Sequence, residues 1–114
     1  MRLLVTGANG LIGRHVVAAA GGEAKIGLIS SPRTVPADLP RHVHFHRADL
    51  NDPDQSRALI ESIAPTHVIN TAWHTKHPSY WKDPENLDWI IATSAMARAF
   101  AEVRGRRFVQ LGSC

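Results

Sequence analysis

The strongest indication of the fold is the stretch Met1-Arg-Leu-Leu-Val-Thr6-Gly7-Ala-Asn-Gly10-Leu-Ile-Gly13-Arg-His-Val-Val17. A short apolar run leads directly into three glycines, and an apolar pattern typical of a helix follows. This order predicts a strand, a tight turn and a helix N-terminus, an arrangement that binds phosphate in parallel-sheet proteins. The spacing G-x-x-G-x-x-G differs from the common G-x-G-x-x-G, and glycines before a helix are also consistent with a purely structural turn.

Each glycine of this turn has its own physical reason. Gly7 lets the chain turn sharply off the strand, and Gly10 lacks a Cβ, so a pyrophosphate can approach the backbone closely. Gly13 lets the helix pack tightly on the strand. The unpaired N–H groups of the first helical turn, with their partial positive charge, would then hold the phosphates. We therefore predict nucleotide binding at this turn.

Length and composition indicate one globular domain. The chain has 114 residues, a net charge of +3 and a single cysteine, Cys114, which permits no internal disulfide. No apolar run approaches the ~20 residues that span a bilayer, and the N-terminal run is too short for a signal peptide, so a cytoplasmic protein without a membrane partner is expected. The cluster Arg104, Arg106 and Arg107 fits a helix C-terminus better than a nucleic-acid surface. Anionic cofactor phosphates are a sufficient partner for this charge.

Apolar runs of strand length alternate with helical patterns along the chain. Strands are predicted at residues 2–6, 25–29, 43–46, 67–71 and 107–111, and helices at 11–20, 53–63 and 84–103. This alternation is typical of an α/β fold with a doubly wound parallel sheet. Asp52 before Pro53 marks the start of the second helix, with Gln55 placed for a capping contact. The last helix is predicted to pack through one face formed by Leu87, Ile90, Ile91, Ser94, Ala95 and Ala99.

Four stretches resemble the motifs of one family, in order and spacing. Thr6-Gly-Ala-Asn-Gly-Leu-Ile-Gly13 resembles its glycine signature, and Ala48-Asp-Leu-Asn-Asp52 its acidic adenine-binding turn. Thr66-His-Val-Ile-Asn-Thr-Ala-Trp73 resembles the strand D-x-V-I-H-L-A-A, and Arg107-Phe-Val-Gln-Leu-Gly-Ser113 resembles R-F-V-x-x-S-S. The family is the extended short-chain dehydrogenases/reductases, the NAD-dependent epimerase/dehydratase group. The resemblance implies that residues 1–114 form the N-terminal, NAD(P)-binding Rossmann portion of such an enzyme, with strand order 3-2-1-4-5, cut after the fifth strand.

The resemblance also implies roles for single residues. The pyrophosphate would be lined by Gly7, Asn9, Gly10, Leu11 and Ile12, with Gly13 beside them. Asp49 would accept a hydrogen bond from the adenine amino group, and Leu50 would pack on the ring. The nicotinamide ribose would lie along Thr71, Ala72 and Trp73. Ser113 would be the catalytic hydroxyl that hydrogen-bonds the reacting oxygen of the substrate.

Several of these positions have a plainer interpretation. Asp49 lies in a run that is ordinary turn chemistry. Thr71 and Ala72 could be plain strand-end residues, and Ser113 could be a loop serine.

The end of the second strand bears on the choice of cofactor. Proteins that use NAD commonly place Asp or Glu there to bond the ribose 2′-hydroxyl. Here Lys25-Ile-Gly-Leu-Ile29 runs into Ser30-Ser31-Pro32-Arg33, without a carboxylate. Hydroxyls and an arginine suit a 2′-phosphate, so Ser30 and Arg33 favour NADP over NAD. The alternative is that Arg33 only faces solvent.

The chain departs from the family pattern at three places. Trp73 replaces the second of two small residues, which would narrow the nicotinamide pocket or reshape the substrate wall. Trp89 stands where the family's long helix has Asn, although Asn86 lies one turn earlier. Tyr80 does not begin the family's Tyr-x-x-x-Lys motif, because the fourth residue after it is Pro84 and not lysine. We therefore expect no hydride transfer by these 114 residues alone.

Two groups of histidines are candidates for a metal site or a substrate contact. His42, His44 and His46 alternate with apolar residues on an edge strand, where partly exposed histidines are a simpler explanation than a metal site, and we predict none. His74 and His77 flank a loop near the expected nicotinamide site, where they could contact substrate or simply be solvated.

Three functions are consistent with the sequence. The first is the cofactor-binding part of an epimerase, dehydratase or reductase that acts by hydride transfer on a nucleotide-sugar or similar small carbonyl or alcohol substrate. The second is a non-catalytic NAD(P)-sensing regulatory module, and the third is an interaction domain with a vestigial glycine turn. Cofactor binding distinguishes the third from the others. An uncovered strand edge also predicts self-association as a homo-oligomer.

Overall fold

The described part of the chain forms five strands and three helices, in the order β-α-β-β-α-β-α-β. The structure, a computed structural model, describes residues 1–20, 25–30 (backbone only), 43–73, 82 and 84–112. The elements are β1 (Arg2–Thr6), α1 (Gly13–Ala20), β2 (Lys25–Ser30), β3 (Val43–Arg47), α2 (Pro53–Ile63), β4 (His67–Asn70), α3 (Glu85–Glu102) and β5 (Arg107–Gln110). Every predicted element is present. The main difference is that α1 begins at Gly13 rather than at residue 11, so two more residues belong to the turn.

The strands form one parallel sheet in the order β3-β2-β1-β4-β5, which confirms the predicted Rossmann-type topology. The chain runs outward from β1 to β3 and then returns to place β4 on the other side of β1. The connections that leave β1 and β4 therefore diverge at the carboxyl edge of the sheet. Such a switch point is where open α/β sheets bind ligands.

The alternating side chains of the central strands supply two cores. Leu4 of β1 and Val68 of β4 face α2 and α3 and belong to a buried cluster with Ile60 and Met96. Leu3 and Val5 of β1 face the other way and pack with the apolar side of α1. Because β1 is buried on both faces, the glycine turn at its end has a rigid base.

The predicted packing face of α3 is confirmed at Ala99 but is wrong at its larger residues. The buried residues are Ala92, Met96, Ala99 and Phe100, whereas Leu87, Ile90 and Ile91 are 64%, 51% and 57% exposed. The helix is apolar on several sides, so spacing alone did not identify the packed face. Met96, Ala99 and Phe100 pack in the buried cluster that α2 and α3 share with β1 and β4. No helix among the described residues is long and apolar enough to cross a membrane.

The start of α2 fixes the loop that follows β3. Asp52 is extended and its side chain accepts from the N–H of Asp54 (2.9 Å), with Pro53 in the first helical turn. Gln55 donates to Asp52 (3.1 Å) and accepts from the N–H of Asp49 (2.9 Å). These hydrogen bonds, that from Gln55 first, lower the pKa of Asp52. The cap therefore reaches back to the acidic turn and holds it against the helix.

A histidine on the edge strand β3, His46, has a shifted pKa that can be tested. Burial lowers the pKa of His46, and the neighbouring charge of His44 lowers it further. The unfolded chain therefore binds this proton more readily, so the free energy of unfolding falls as the pH drops below about 6.5 towards the folded pKa. We expect His44→Gln to raise the pKa of His46 in an NMR titration of the ring protons. A pKa of His46 that is unchanged in this variant would contradict the assigned coupling.

Candidate functional site

The turn after β1 is built around a position that only glycine fits. Gly7 has a φ of 65°, in the left-handed region. A Cβ there would lie 2.5 Å from the hydroxyl oxygen of Thr71 and 2.9 Å from the backbone nitrogen of Ala72. Both conformation and space therefore require the glycine, and the turn lies directly against the end of β4.

The other two glycines let the chain fold back on this turn. The N–H of Gly10 donates to the carbonyl of Gly7 (2.9 Å), and a Cβ at Gly10 would lie 3.1 Å from that oxygen. A Cβ at Gly13 would overlap the same carbonyl group, 2.6 Å from its carbon and 2.9 Å from the Cα of Ala8. Gly13 thus brings the start of α1 onto the turn itself rather than along the strand.

Free backbone donors and exposed side chains follow at Leu11 and Ile12. These two side chains are 72% and 55% exposed. Within the described part of the chain, their amide N–H groups donate to no acceptor, and the first turn of α1 contains no acidic residue. Asn9 is exposed beside them. The turn therefore combines unsatisfied donors with the positive end of a helix, which is the environment that an anion prefers.

A row of hydrogen-bonded polar side chains, buried on β1 and β4 and exposed on β5, lies next to the turn. Thr6 and Asn70, the last residues of β1 and β4, are 0% and 1% exposed. The hydroxyl of Thr6 donates to the side-chain oxygen of Asn70, whose amide nitrogen donates to Gln110 of β5 (2.6 Å). The chain of donors and acceptors crosses three strands, and each member satisfies the next.

The same hydroxyl ties the end of β4 to β1. The Thr6 oxygen accepts from the N–H groups of Thr71 (3.2 Å) and Ala72 (3.4 Å). In return, the hydroxyl of Thr71 donates to the carbonyl of Thr6 (2.6 Å). Thr71 therefore has a structural role between the two strand ends, in addition to the cofactor contact predicted for it.

Sequence reasoning did not single out Asn70 or Gln110, and it noted Thr6 only as a neighbour of the glycines. A signal was present, because a polar residue follows the apolar centre of three strands that the predicted strand order makes neighbours. Neighbouring parallel strands bring their last residues to the same edge of the sheet, where such side chains can bond one another.

The acidic turn lies at the same edge, beyond β3. Asp49 is exposed, and one of its carboxylate oxygens accepts from the N–H of Asn51 (3.1 Å), as in an ordinary Asx turn. Its second oxygen accepts from no described residue. Leu50 is only 2% exposed and packs in the core with α2 and α3. The side chain of Leu50 therefore presents little surface, whereas Asp49 keeps an acceptor for a ligand.

Two tryptophans meet where β4 ends. Trp73 is 36% exposed, and its ring centroid lies 6.1 Å from that of Trp89, with the planes tilted by 34°. Trp89, in the first turns of α3, packs against the buried cluster together with Ala72. The indole nitrogen of Trp89 is buried, and no described residue accepts a hydrogen bond from it. Trp89, which stands where the family has Asn, thus supports Trp73, which stands where the family has a small residue.

Several predicted site positions lie outside the described residues. These are Arg33, Ser113, His42, His74 and His77, while Ser30 is described only as the last backbone position of β2. Over the described ranges, no three His, Cys, Asp or Glu side chains form a cluster that could hold a metal ion.

The contact between Gly13 and the turn predicts a large, local effect on stability. We expect Gly13→Ala to lower the free energy of unfolding by about 1–3 kcal/mol, because the new methyl group must displace the Gly7 carbonyl. Gly112→Ala is the matched control, since a Cβ there meets nothing within 4 Å, and it should change stability by less than about 0.5 kcal/mol. Urea denaturation measures both, and equal stabilities would contradict the close approach of α1.

Comparisons with known proteins agree with this geometry. A model of the NAD dependent epimerase/dehydratase family matches residues 3–114. Bordetella bronchiseptica WbmG in complex with NAD is 21% identical with a TM-score of 0.79, over 96% of this chain and 36% of WbmG. Thermus thermophilus UDP-glucose 4-epimerase in complex with NAD is 24% identical with a TM-score of 0.76, over 95% of this chain and 36% of that enzyme.

Uronate dehydrogenase from Agrobacterium tumefaciens is 21% identical with a TM-score of 0.77, over 98% of this chain and 40% of the dehydrogenase. Such identities show a shared fold, and the chain spans about 36–40% of the length of these three proteins. The family model covers nearly the whole chain and its description matches the resemblance of the four motifs. The chain therefore belongs to the NAD dependent epimerase/dehydratase family.

Proposed function

We propose that residues 1–114 are the NAD(P)-binding domain of an epimerase, dehydratase or reductase. The observation that carries this proposal is the turn from Gly7 to Gly13. Three glycines are spaced so that no Cβ intrudes, and exposed amides lie at the positive end of α1. A purely structural turn would need Gly7 and Gly13 for the close approaches described above. At Gly10 a Cβ would meet only the Gly7 carbonyl oxygen, at 3.1 Å, so the absence of a side chain there also leaves room for a phosphate.

The residues at this edge fit a dinucleotide. The amides of Leu11 and Ile12 would hold the pyrophosphate, with Gly10 allowing its close approach. From there the ligand extends both ways along the carboxyl edge, towards β3 on one side and β4 on the other. We assign the adenine to the side of Asp49 and the nicotinamide ribose to the side of Thr71, Ala72 and Trp73. When bound, the cofactor supplies a nicotinamide ring that accepts or donates a hydride.

For the substrate we propose a nucleotide-sugar or a similar small carbonyl or alcohol compound. Support comes from the family description and from relatives of the same fold that are named as a UDP-glucose 4-epimerase and a uronate dehydrogenase. Ser113, in the segment that follows β5, would hydrogen-bond the reacting oxygen. The acid/base pair of the family has no counterpart in residues 1–114, so these residues bind and orient rather than complete the reaction.

The pyrophosphate role is tested at Gly10. We expect Gly10→Val to weaken dinucleotide binding at least tenfold in isothermal titration calorimetry, because a branched side chain would occupy the phosphate's approach. Gly112→Ala serves as the matched control and should bind as the wild type does. Circular dichroism establishes that each variant is folded. Unchanged affinity in a folded Gly10→Val protein would refute phosphate binding at the turn.

We further propose that the protein prefers NADP to NAD. The support is the end of β2, where Ser30, Ser31 and Arg33 stand without a carboxylate. Arg33→Ala should weaken NADP binding by about tenfold or more and leave NAD binding nearly unchanged, because a hydrogen bond to a charged group contributes roughly 1.5–3 kcal/mol.

Arg106→Ala is the control for the loss of one positive charge. Arg106 directly precedes β5, the outer strand on the far side of the sheet from β3. Calorimetric dissociation constants for both cofactors decide the question. Tighter binding of NAD than of NADP by the wild type would show the preference to be wrong.

A further inference from the structure

The position of Trp73 is fixed relative to the glycine turn by a short chain of contacts. The N–H of Ala72, the residue before it, donates to Thr6, and Thr6 directly precedes Gly7. The backbone nitrogen of Ala72 also lies where a Cβ on Gly7 would meet it at 2.9 Å. Little freedom is left between the turn and the backbone of Trp73. An indole that is 36% exposed thus stands beside the turn, on its β4 side.

Trp89 holds this indole from α3. The two rings are 6.1 Å apart at a tilt of 34°, which lies in the range of attractive aromatic pairs. Trp89 is itself packed on the cluster that α2 and α3 share with the sheet. Trp89 is therefore fixed by the core, and the ring of Trp73 is partly buried against Trp89.

Core packing alone does not account for a tryptophan at position 89. Its indole N–H is buried without an acceptor among the described residues. An unsatisfied buried donor destabilises a fold, and phenylalanine or leucine would fill an apolar site without that cost. The large, electron-rich ring at this position is better explained by what it does for Trp73.

We propose that Trp73 forms an aromatic wall for the nicotinamide half of the dinucleotide, and that Trp89 is the positioning residue that holds it there. This inference rests on the proposed function. It also implies that the tryptophan pair makes the protein bind one redox form of the cofactor more tightly than the other. The oxidised nicotinamide is a pyridinium cation, whereas the reduced ring is neutral. The face of an indole attracts a cation, so the pair favours the oxidised cofactor over the reduced one.

The test compares four ligands on the folded protein: NADP⁺, NADPH, 2′-phospho-ADP-ribose, which lacks the nicotinamide ring, and NAD⁺. We expect Trp73→Leu to weaken NADP⁺ relative to NADPH by roughly two- to fivefold, the range of an exposed cation–π contact. Affinity for 2′-phospho-ADP-ribose, which keeps the second ribose but lacks the ring, should fall less than the affinity for NADP⁺. Trp73→Phe should retain most of the preference, because it keeps an aromatic face.

Trp89→Leu should shift the same ratio in the same direction, and Trp89→Phe, with its smaller ring, should restore it only in part. A merely structural role for Trp89 would lower stability without moving the ratio. Phe108→Leu is the control, because Phe108 belongs to a second aromatic pair with Phe100 (5.6 Å) and packs against the core. It should lower stability and leave the ratio unchanged.

Fluorescence gives a readout that does not depend on turnover. In a Trp81→Phe background, NADP⁺ should quench the part of the emission that comes from Trp73, because the nicotinamide ring stacks on it, and 2′-phospho-ADP-ribose should quench it less. Equal quenching by the two ligands, or an unchanged NADP⁺ to NADPH ratio in Trp73→Leu, would overturn the assignment. Failure of the wild type to bind any of the four ligands would instead refute the proposed function.

Discussion

The contact between the turn after β1 and the end of β4 is the constraint on which the rest of the site depends. Gly7 adopts a left-handed conformation within van der Waals distance of Thr71 and Ala72. Buried Thr6 bonds the backbone of both residues, and Thr71 bonds back to Thr6. Because β1 and β4 are joined there, the donors of the turn and the indole of Trp73 occupy fixed positions along one edge. A ligand therefore meets a preformed surface and does not have to order it.

The fold was predictable because its signals are local. The apolar run before Gly7, the alternation of strands and helices, and the Asp52-Pro53 cap all gave elements that the structure confirms within one or two residues. The packed face of α3 was not predictable in the same way. Leu87, Ile90 and Ile91 are more apolar than Ala92 and Ala99, yet the two alanines are buried and the three larger side chains are exposed. The way α3 packs on its neighbours, and not hydrophobicity alone, selects the buried face.

The candidate site was predictable only in part, for a related physical reason. Single positions such as Gly7 and Asp49 follow from motifs, and the structure places them at the same edge. The bonds among Thr6, Asn70 and Gln110, and the pairing of Trp73 with Trp89, join residues that are 16 to 64 positions apart. Such contacts depend on strand register and on how α3 lies on the sheet. A motif reports neither quantity.

In the proposed function, the turn from Gly7 to Gly13 holds the pyrophosphate of a dinucleotide. The most direct measurement follows backbone amide signals of ¹⁵N-labelled protein during titration with NADP⁺. We expect saturable shifts of the Leu11 and Ile12 amides, because these donors lack acceptors in the described part of the chain, and shifts of Gly10 beside them. Saturable binding that leaves these three amides unmoved, or no saturable shift of any amide, would contradict the claim.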